Sequence, residues 1–276
     1  MPKKDQILTE TQRRNIAISE QNIQDLLDYG CKDPLDPEQE IKNYSLIGVA
    51  RDSFGRRRCL ELLKFEDIDF DNPIGEGVYQ FTKEEKYNPP RRQKDESYSE
   101  YKKRRDKFEA EGLKKGNLKY TTHKGKKKLV KVYLGFISKE TRDFLFGLRL
   151  IYKNGYVFRK DPEYGEAYYG STLDRWIKRL VTKANKNMEA LGQPKSRLIH
   201  HNTAKDREIY LHIFRSAAPK NLIKRAKGLP PEKQMLVLQT IQKQLGHANF
   251  KYTMDLYGQE TDETTAENLS LLWNKK

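Results

Sequence analysis

Leu245-Gly246-His247-Ala248-Asn249-Phe250-Lys251-Tyr252-Thr253-Met254-Asp255-Leu256-Tyr257 is the stretch on which the reading of this 276-residue chain turns. A run rich in Leu and Ile leads into Leu245 and is stopped by Gly246, the residue that tolerates a left-handed C-cap. His247 stands just past that stop. After a short polar link, Phe250, Met254 and Tyr257 fall at i, i+4 and i+7, one face of a second helix. This arrangement can bring an imidazole and a phenol around one phosphate. It can equally leave Tyr257 packed against Phe250 and Met254 as an ordinary helical aromatic.

About 35 residues upstream stands His212-Ile213-Phe214-Arg215. His212 and Arg215 are spaced i, i+3, so they share a helix face and can both reach one anion. Nearer the N-terminus, Arg58-Cys59-Leu60-Glu61-Leu62-Leu63 reads RxxELL, and Lys124-Gly125 lies at a hairpin turn. An RxxELL arginine, a hairpin lysine, HxxR, LGH and a tyrosine, in that order, resemble the catalytic core of the tyrosine recombinases, the phage integrase family. The spelling TMDLYG at Thr253–Gly258 is a form that family often uses. Each piece is weak alone; the ordered set is strong.

The resemblance implies a mainly α-helical α+β catalytic domain with a small antiparallel sheet and hairpin. It implies a DNA strand transferase that works through a 3′-phosphotyrosyl link, with no cofactor, metal or ATP. Catalytic roles fall on Arg58, Lys124, His212, Arg215, His247 and the nucleophile Tyr257. Arg56 competes with Arg58 if spacing is counted back from Asp67-Ile68, and Lys126, Lys127 and Lys128 compete with Lys124. Arg56, Arg57, Lys126, Lys127, Arg104 and Arg105 are expected DNA-backbone contacts. The expected domain layout is an N-terminal arm and short helix (1–35), the catalytic domain (36–257) with a charged insertion (71–117), and a tail helix (258–276). The stretch before 36 is too short for the helical DNA-clamping domain most members carry, so clamping falls to another element or is absent.

Composition agrees with a polyanion partner. Lys+Arg number 54 against Asp+Glu 39, a formal net charge of +15, which points to nucleic acid ahead of other acidic partners. No apolar run approaches a bilayer span, and the N-terminus lacks a signal-peptide core, so an intracellular, DNA-associated protein of a prokaryotic or viral host is expected. Cys31 and Cys59 form no disulfide framework and read as small buried hydrophobes.

In chain order, Ile23, Leu26 and Leu27 mark a short helix, and Asp36-Pro37 starts another with Asp as N-cap. Phe65–Phe70 alternates apolar and acidic residues like a strand. Ser97–Glu111 reads as a polar helix with Tyr101 and Phe108 on one side, either a solvated charge run or an element tracking the DNA backbone. Leu118–Thr122 and Leu129–Leu134 pair as a hairpin, Ser138 caps a helix, and Tyr156–Phe158 is a short strand. Ser171 with Asp174 starts a helix whose Trp176 reads as core. His200-His201 lacks further metal ligands nearby. Leu269, Leu272 and Trp273 lie at i, i+3, i+4 of a terminal helix that docks either on its own domain or on another protomer, which makes a dimer or tetramer on DNA the expected assembly.

The same chemistry serves type IB topoisomerases and telomere resolvases, and Gly55–Arg58 and Ala218–Asn221 faintly resemble the latter. A DNA-binding protein with a degenerate catalytic domain is the alternative from another class.

Overall fold

The computed structural model describes residues 20–53, 55–74, 76–123, 126–160, 165–168, 172–193 and 211–245. Helix α1 (Glu20–Asp25) runs directly into a wider π turn over Leu26–Cys31. Helix α2 (Pro37–Ser53) begins as the sequence dictates: Asp36 Oδ1 accepts the Gln39 amide at 2.9 Å and Pro37 takes the first helical position. Helix α3 (Arg57–Glu61), strand β1 (Val78–Lys86), helix α4 (Tyr98–Lys114), strand β2 (Leu118–His123) and strand β3 (Lys126–Ser138) follow. Four helices close the described chain: α5 (Lys139–Tyr152), α6 (Thr172–Ala190), α7 (Leu211–Ala226) and α8 (Pro231–Leu245).

The three strands form one antiparallel sheet in the order β1-β3-β2. One hydrophobic core joins α1 and its π turn (Leu26, Leu27) to α2 (Leu46, Ile47), α5 (Leu145, Leu148), α6 (Leu173, Ile177) and α7 (Phe214). The N-terminal helix therefore shares the core of the rest instead of standing apart from it. Trp176 is core as expected: it lies edge-on to Phe158 and donates its indole N–H to Asn43 Oδ1 at 2.8 Å. Both cysteines are buried and unpaired with each other.

Three expected features differ in form. Phe65–Phe70 is not a strand. Phe65–Asp67 makes a 3-10 turn in which Asp67 Oδ2 accepts the Lys64 amide, and only a single bridge joins Ile68 to Phe81. Phe65, Ile68 and Phe70 are all buried; the acidic residues between them close local turns that compete with strand pairing. Tyr156 likewise contributes one bridge, to Lys64, and no strand. Thirdly, the segment 71–117 contains strand β1, and residues 87–117 connect β1 to β2.

Asp52, near the end of α2, fastens α2 to the start of α5. Its Oδ2 accepts the Ser138 amide at 2.9 Å and the hydroxyls of Ser138 and Thr141, each at 2.6 Å. The two helices meet closely here, since a Cβ on Gly48 would stand 2.6 Å from Thr141 Oγ1. Removing one acceptor that serves three part-buried donors costs on the order of 2 kcal/mol. Asp52→Ala should thus lower the melting temperature by about 4–8 °C, and Asp52→Asn by less, in a thermal denaturation series.

Candidate active site

Strand β1 reads VYQFTKEEK from Val78 to Lys86. Alternation puts Phe81, Lys83 and Glu85 on one face, and that face is the buried one. Lys83 is 1% exposed. Its Nζ donates to the Ser53 carbonyl at 2.9 Å, at the end of α2, and lies 4.8 Å from the centroid of the Tyr133 ring. Its stem passes Gly135, the register partner of Phe81 on β3. A Cβ there would meet the Phe81 ring at 2.6 Å and Lys83 Cε at 2.9 Å, so glycine supplies the space the lysine fills. Burial pulls the Lys83 amine down from its ordinary 10.5 to about 7; Arg215 and Arg56 push the same way, while Cys59 and Glu85 oppose them.

Glu85 is two residues on, 8% exposed. One oxygen pairs with the Arg56 guanidinium, and the other lies 3.5 Å from Cys59 Sγ. The Tyr133 hydroxyl stands 3.9 Å from the same sulfur. Burial pushes the Cys59 thiol up to about 12 and the Tyr133 phenol far above its ordinary 10, so neither is a nucleophile at neutral pH.

Arg215 enters from α7, 2% exposed. Its Nη2 donates to the Leu245 carbonyl at 2.6 Å. Leu245 is the last residue of α8, where backbone carbonyls lack helical partners and carry partial negative charge. The contact fixes the end of α8 immediately before Gly246-His247. The start of α7 is fixed as well: Asp174 Oδ1 accepts the Leu211 amide at 3.0 Å, and Asp174 Oδ2 accepts from Arg57 Nη1 at 2.9 Å.

The three consecutive arginines diverge, because α3 begins at Arg57 and turns about 100° per residue. Arg56 precedes the helix in extended backbone and reaches Glu85. Arg57 serves Asp174, with Glu61 at 3.4 Å, and Arg58 pairs with Glu61 at 3.0 Å. Arg56, placed by the sequence among the DNA contacts, thus reaches Glu85 beside Lys83, and Arg58, favoured as catalytic, pairs with Glu61.

Lys124, His247 and Tyr257 lie outside the described residues, as do His200-His201, the terminal segment, and the side chains of His212 and Lys126. The hairpin end can still be located from the backbone. Lys83 pairs with Tyr133, whereas the hairpin closes at His123 opposite Lys126. Seven residues along β3 span about 23 Å. Lys127 is exposed with Nζ 4.5 Å from the Tyr120 ring centroid. Arg104 bonds Glu96 at 2.7 Å and the Arg91 carbonyl at 3.0 Å, and Arg105 pairs with Asp106 at 2.7 Å.

Sequence reasoning missed Lys83, Glu85 and Tyr133. The signal was present in β1: residues two and four beyond the apolar Phe81 share its face.

No protein-family description and no curated protein matches the sequence. The fold does match solved structures. XerH site-specific recombinase bound to difH substrate, in a pre-cleavage complex, superposes with TM-score 0.51 at 14% identity, covering 94% of this chain and 55% of that one. Its post-cleavage complex with a palindromic difH substrate gives 0.51 at 13%, covering 94% and 53%. The Tn1549 transposon integrase in complex with circular intermediate DNA gives 0.51 at 14%, covering 93% and 67%. This chain thus spans just over half the length of XerH. The architecture read from the sequence, a mainly helical α+β domain of tyrosine recombinase catalytic type with a small antiparallel sheet, is the one the chain adopts.

An amine at about 7 in the folded chain and 10.5 when unfolded binds fewer protons folded than unfolded between those values. Stability therefore rises with pH across that window. Between pH 7 and 9, chemical denaturation should show wild type gaining stability relative to Lys83→Met, the Cys59 contribution being common to both. The gain is at most about 1.4 kcal/mol per pH unit.

Proposed function

We propose that this chain is a DNA strand-exchange enzyme, a site-specific recombinase that cleaves and rejoins duplex strands through a 3′-phosphotyrosyl intermediate. The observation that supports this most is the cluster of Lys83, Arg215 and Arg56, three cations drawn from separate elements onto one place. It occurs on a fold shared with a recombinase and an integrase crystallised on DNA.

In this reading the Tyr257 oxygen attacks the scissile phosphorus, forming the P–O(Tyr) bond as the bond to the 5′-oxygen breaks. The tyrosine proton passes to His212. Arg56 and Arg215 neutralise the non-bridging oxygens and the added charge of the pentacovalent transition state, and His247 donates a hydrogen bond to one of them. Lys83 gives its proton to the departing 5′-oxygen. A group near 7 is half protonated at neutral pH and well matched to that work. The freed 5′-hydroxyl then attacks the phosphotyrosyl bond of a partner strand, so bond energy is conserved and neither ATP nor metal enters. Lys83 replaces Lys124 as the general acid, and Arg56 replaces Arg58 as the first catalytic arginine. Self-association through the C-terminal tail completes the reading, since exchange needs two cut duplexes held together.

A suicide-substrate assay with nicked DNA tests the chemistry. Wild type should give a covalent protein–DNA band on a denaturing gel, and Tyr257→Phe should bind DNA without one. Loss in Tyr252→Phe with persistence in Tyr257→Phe would move the nucleophile. Relaxed circles or hairpin ends among the products would identify a topoisomerase or a telomere resolvase, and tight binding with no adduct a non-catalytic DNA-binding protein.

The acid has its own test. Lys83→Met should lose cleavage by 100-fold or more on ordinary DNA and recover it on DNA with a 5′-bridging sulfur, whose thiolate leaves without a proton. Because the acid must be protonated, wild-type cleavage of ordinary DNA should fall as pH rises above about 7, and cleavage of the sulfur substrate should not. Rescue of Lys124→Ala in place of Lys83→Met would return the role to the hairpin.

A further inference from the structure

Helix α4, inserted between β1 and β2, is 17 residues long and buries none of them fully. Its N-terminus is closed by a reciprocal cap between Ser97 and Glu100. One side is held against the sheet. Phe108 stacks on Tyr87 with centroids 6.4 Å apart, and Gly112 sits so near Leu118 that a Cβ would meet its Cδ1 at 2.5 Å. At about 100° per residue, Tyr101, Arg104, Arg105, Phe108 and Gly112 all fall on that inner side. The two arginines there are consumed by ion pairs with Glu96, Asp106 and Glu109.

Lys103, Lys107 and Lys114 fall within about 40° of one another, roughly 140° around the helix from the inner side. All three are exposed, and none makes an ion pair with a described residue. Of the acids beside them, Glu100 is committed to the cap, which leaves Glu111 against three lysines. The stripe is about 16 Å long, the axial length over which one strand of duplex presents about five phosphates. Exposed Arg91, Arg92 and Lys94 continue the charge from the segment that leads into α4.

We propose that α4 is a second DNA-binding element, a backbone grip in which Lys103, Lys107 and Lys114 lie along the phosphates of duplex beyond the cleavage position. The inference rests on the reading of the chain as a DNA recombinase and adds the surface that holds flanking duplex. Contact is with phosphate and not with base edges, because the stripe holds only lysines, which make point-charge contacts. Arg104 and Arg105 position the helix and do not touch DNA.

The full chain is titrated against a fluorescent duplex of about 40 base pairs at several salt concentrations. The variants are K103S/K107S/K114S and, separately, R104Q/R105Q. Three lost phosphate contacts should reduce the slope of log K against log [salt] by about 2–3 and weaken binding at low salt at least tenfold. R104Q/R105Q should keep the wild-type slope while lowering thermal stability. Circular dichroism and melting should show the lysine variant folded as wild type, since its three side chains carry no packing. It should also still form the covalent adduct on a short nicked duplex limited to the cleavage region. A wild-type slope in the lysine variant overturns the grip alone. The same loss of slope in R104Q/R105Q overturns the assignment of faces. Wild-type protein that lacks salt-dependent affinity for duplex overturns both the grip and the recombinase reading, and an adduct on short DNA keeps those two failures apart.

Discussion

Two cations, Lys83 and Arg215, are held inside this protein at 1% and 2% exposure, and much of the architecture follows from that burial. A charge taken out of water costs several kcal/mol even after relaxation, so each needs acceptors supplied by rigid elements. Both main-chain acceptors are at helix ends: Ser53 closes α2 and Leu245 closes α8. Carbonyls there have no partner within the helix and sit at the negative pole of its dipole. The fold thus aims two helix C-termini at two buried cations. The Tyr133 ring face lies over Lys83, and the Glu85 carboxylate pairs with Arg56 beside it. Against Arg56, Lys83 and Arg215, Glu85 is the one carboxylate among the described residues of the cluster.

The arrangement ties distant parts of the chain to one point. Arg215 is on α7, whose start is set by Asp174 of α6, which in turn holds Arg57 of α3. Lys83 is on β1, seated by the glycine of β3 at position 135. Asp52 locks the α2 end, whose Ser53 carbonyl receives Lys83, against the start of α5. Shifting any of these contacts moves a donor or acceptor of the cluster. Arg57 is the instructive case. By charge and neighbourhood it reads as a DNA contact, yet its visible work is to hold the carboxylate that starts α7.

Local rules were legible in the sequence wherever one residue sets a local outcome. Asp36-Pro37 and Ser97 begin helices, Ser138 caps α5, and Trp176 of α6 lies in the core. The order of motifs carried the fold class. What failed was reading that depended on register. Alternation in Phe65–Phe70 was a poor guide because acidic side chains there satisfy backbone amides locally. Alternation in β1 was the true signal, but its buried face carries Lys83 and Glu85, and charge masks a strand that hydropathy is asked to find. Which of three adjacent arginines faces the cluster depends on where α3 begins, within one residue, and no composition rule resolves that.

The position of the insertion explains how so much charge is carried without harm to the site. Strand β3 is central and pairs with β1 and β2 on opposite edges. The register that brings Lys83 opposite Tyr133 is set entirely by the β1–β3 pair. Residues 87–117 connect the two outer strands, so lengthening them alters neither ladder, and the entropy of closing a longer connection grows only slowly with length. The hairpin end of β3 is free in the same sense, being far along the strand from the cluster. The sheet therefore separates two tasks along its length. Near Tyr133 it fixes a buried lysine beside a glycine, and beyond that it supports an outlying helix whose charge can change without disturbing that register.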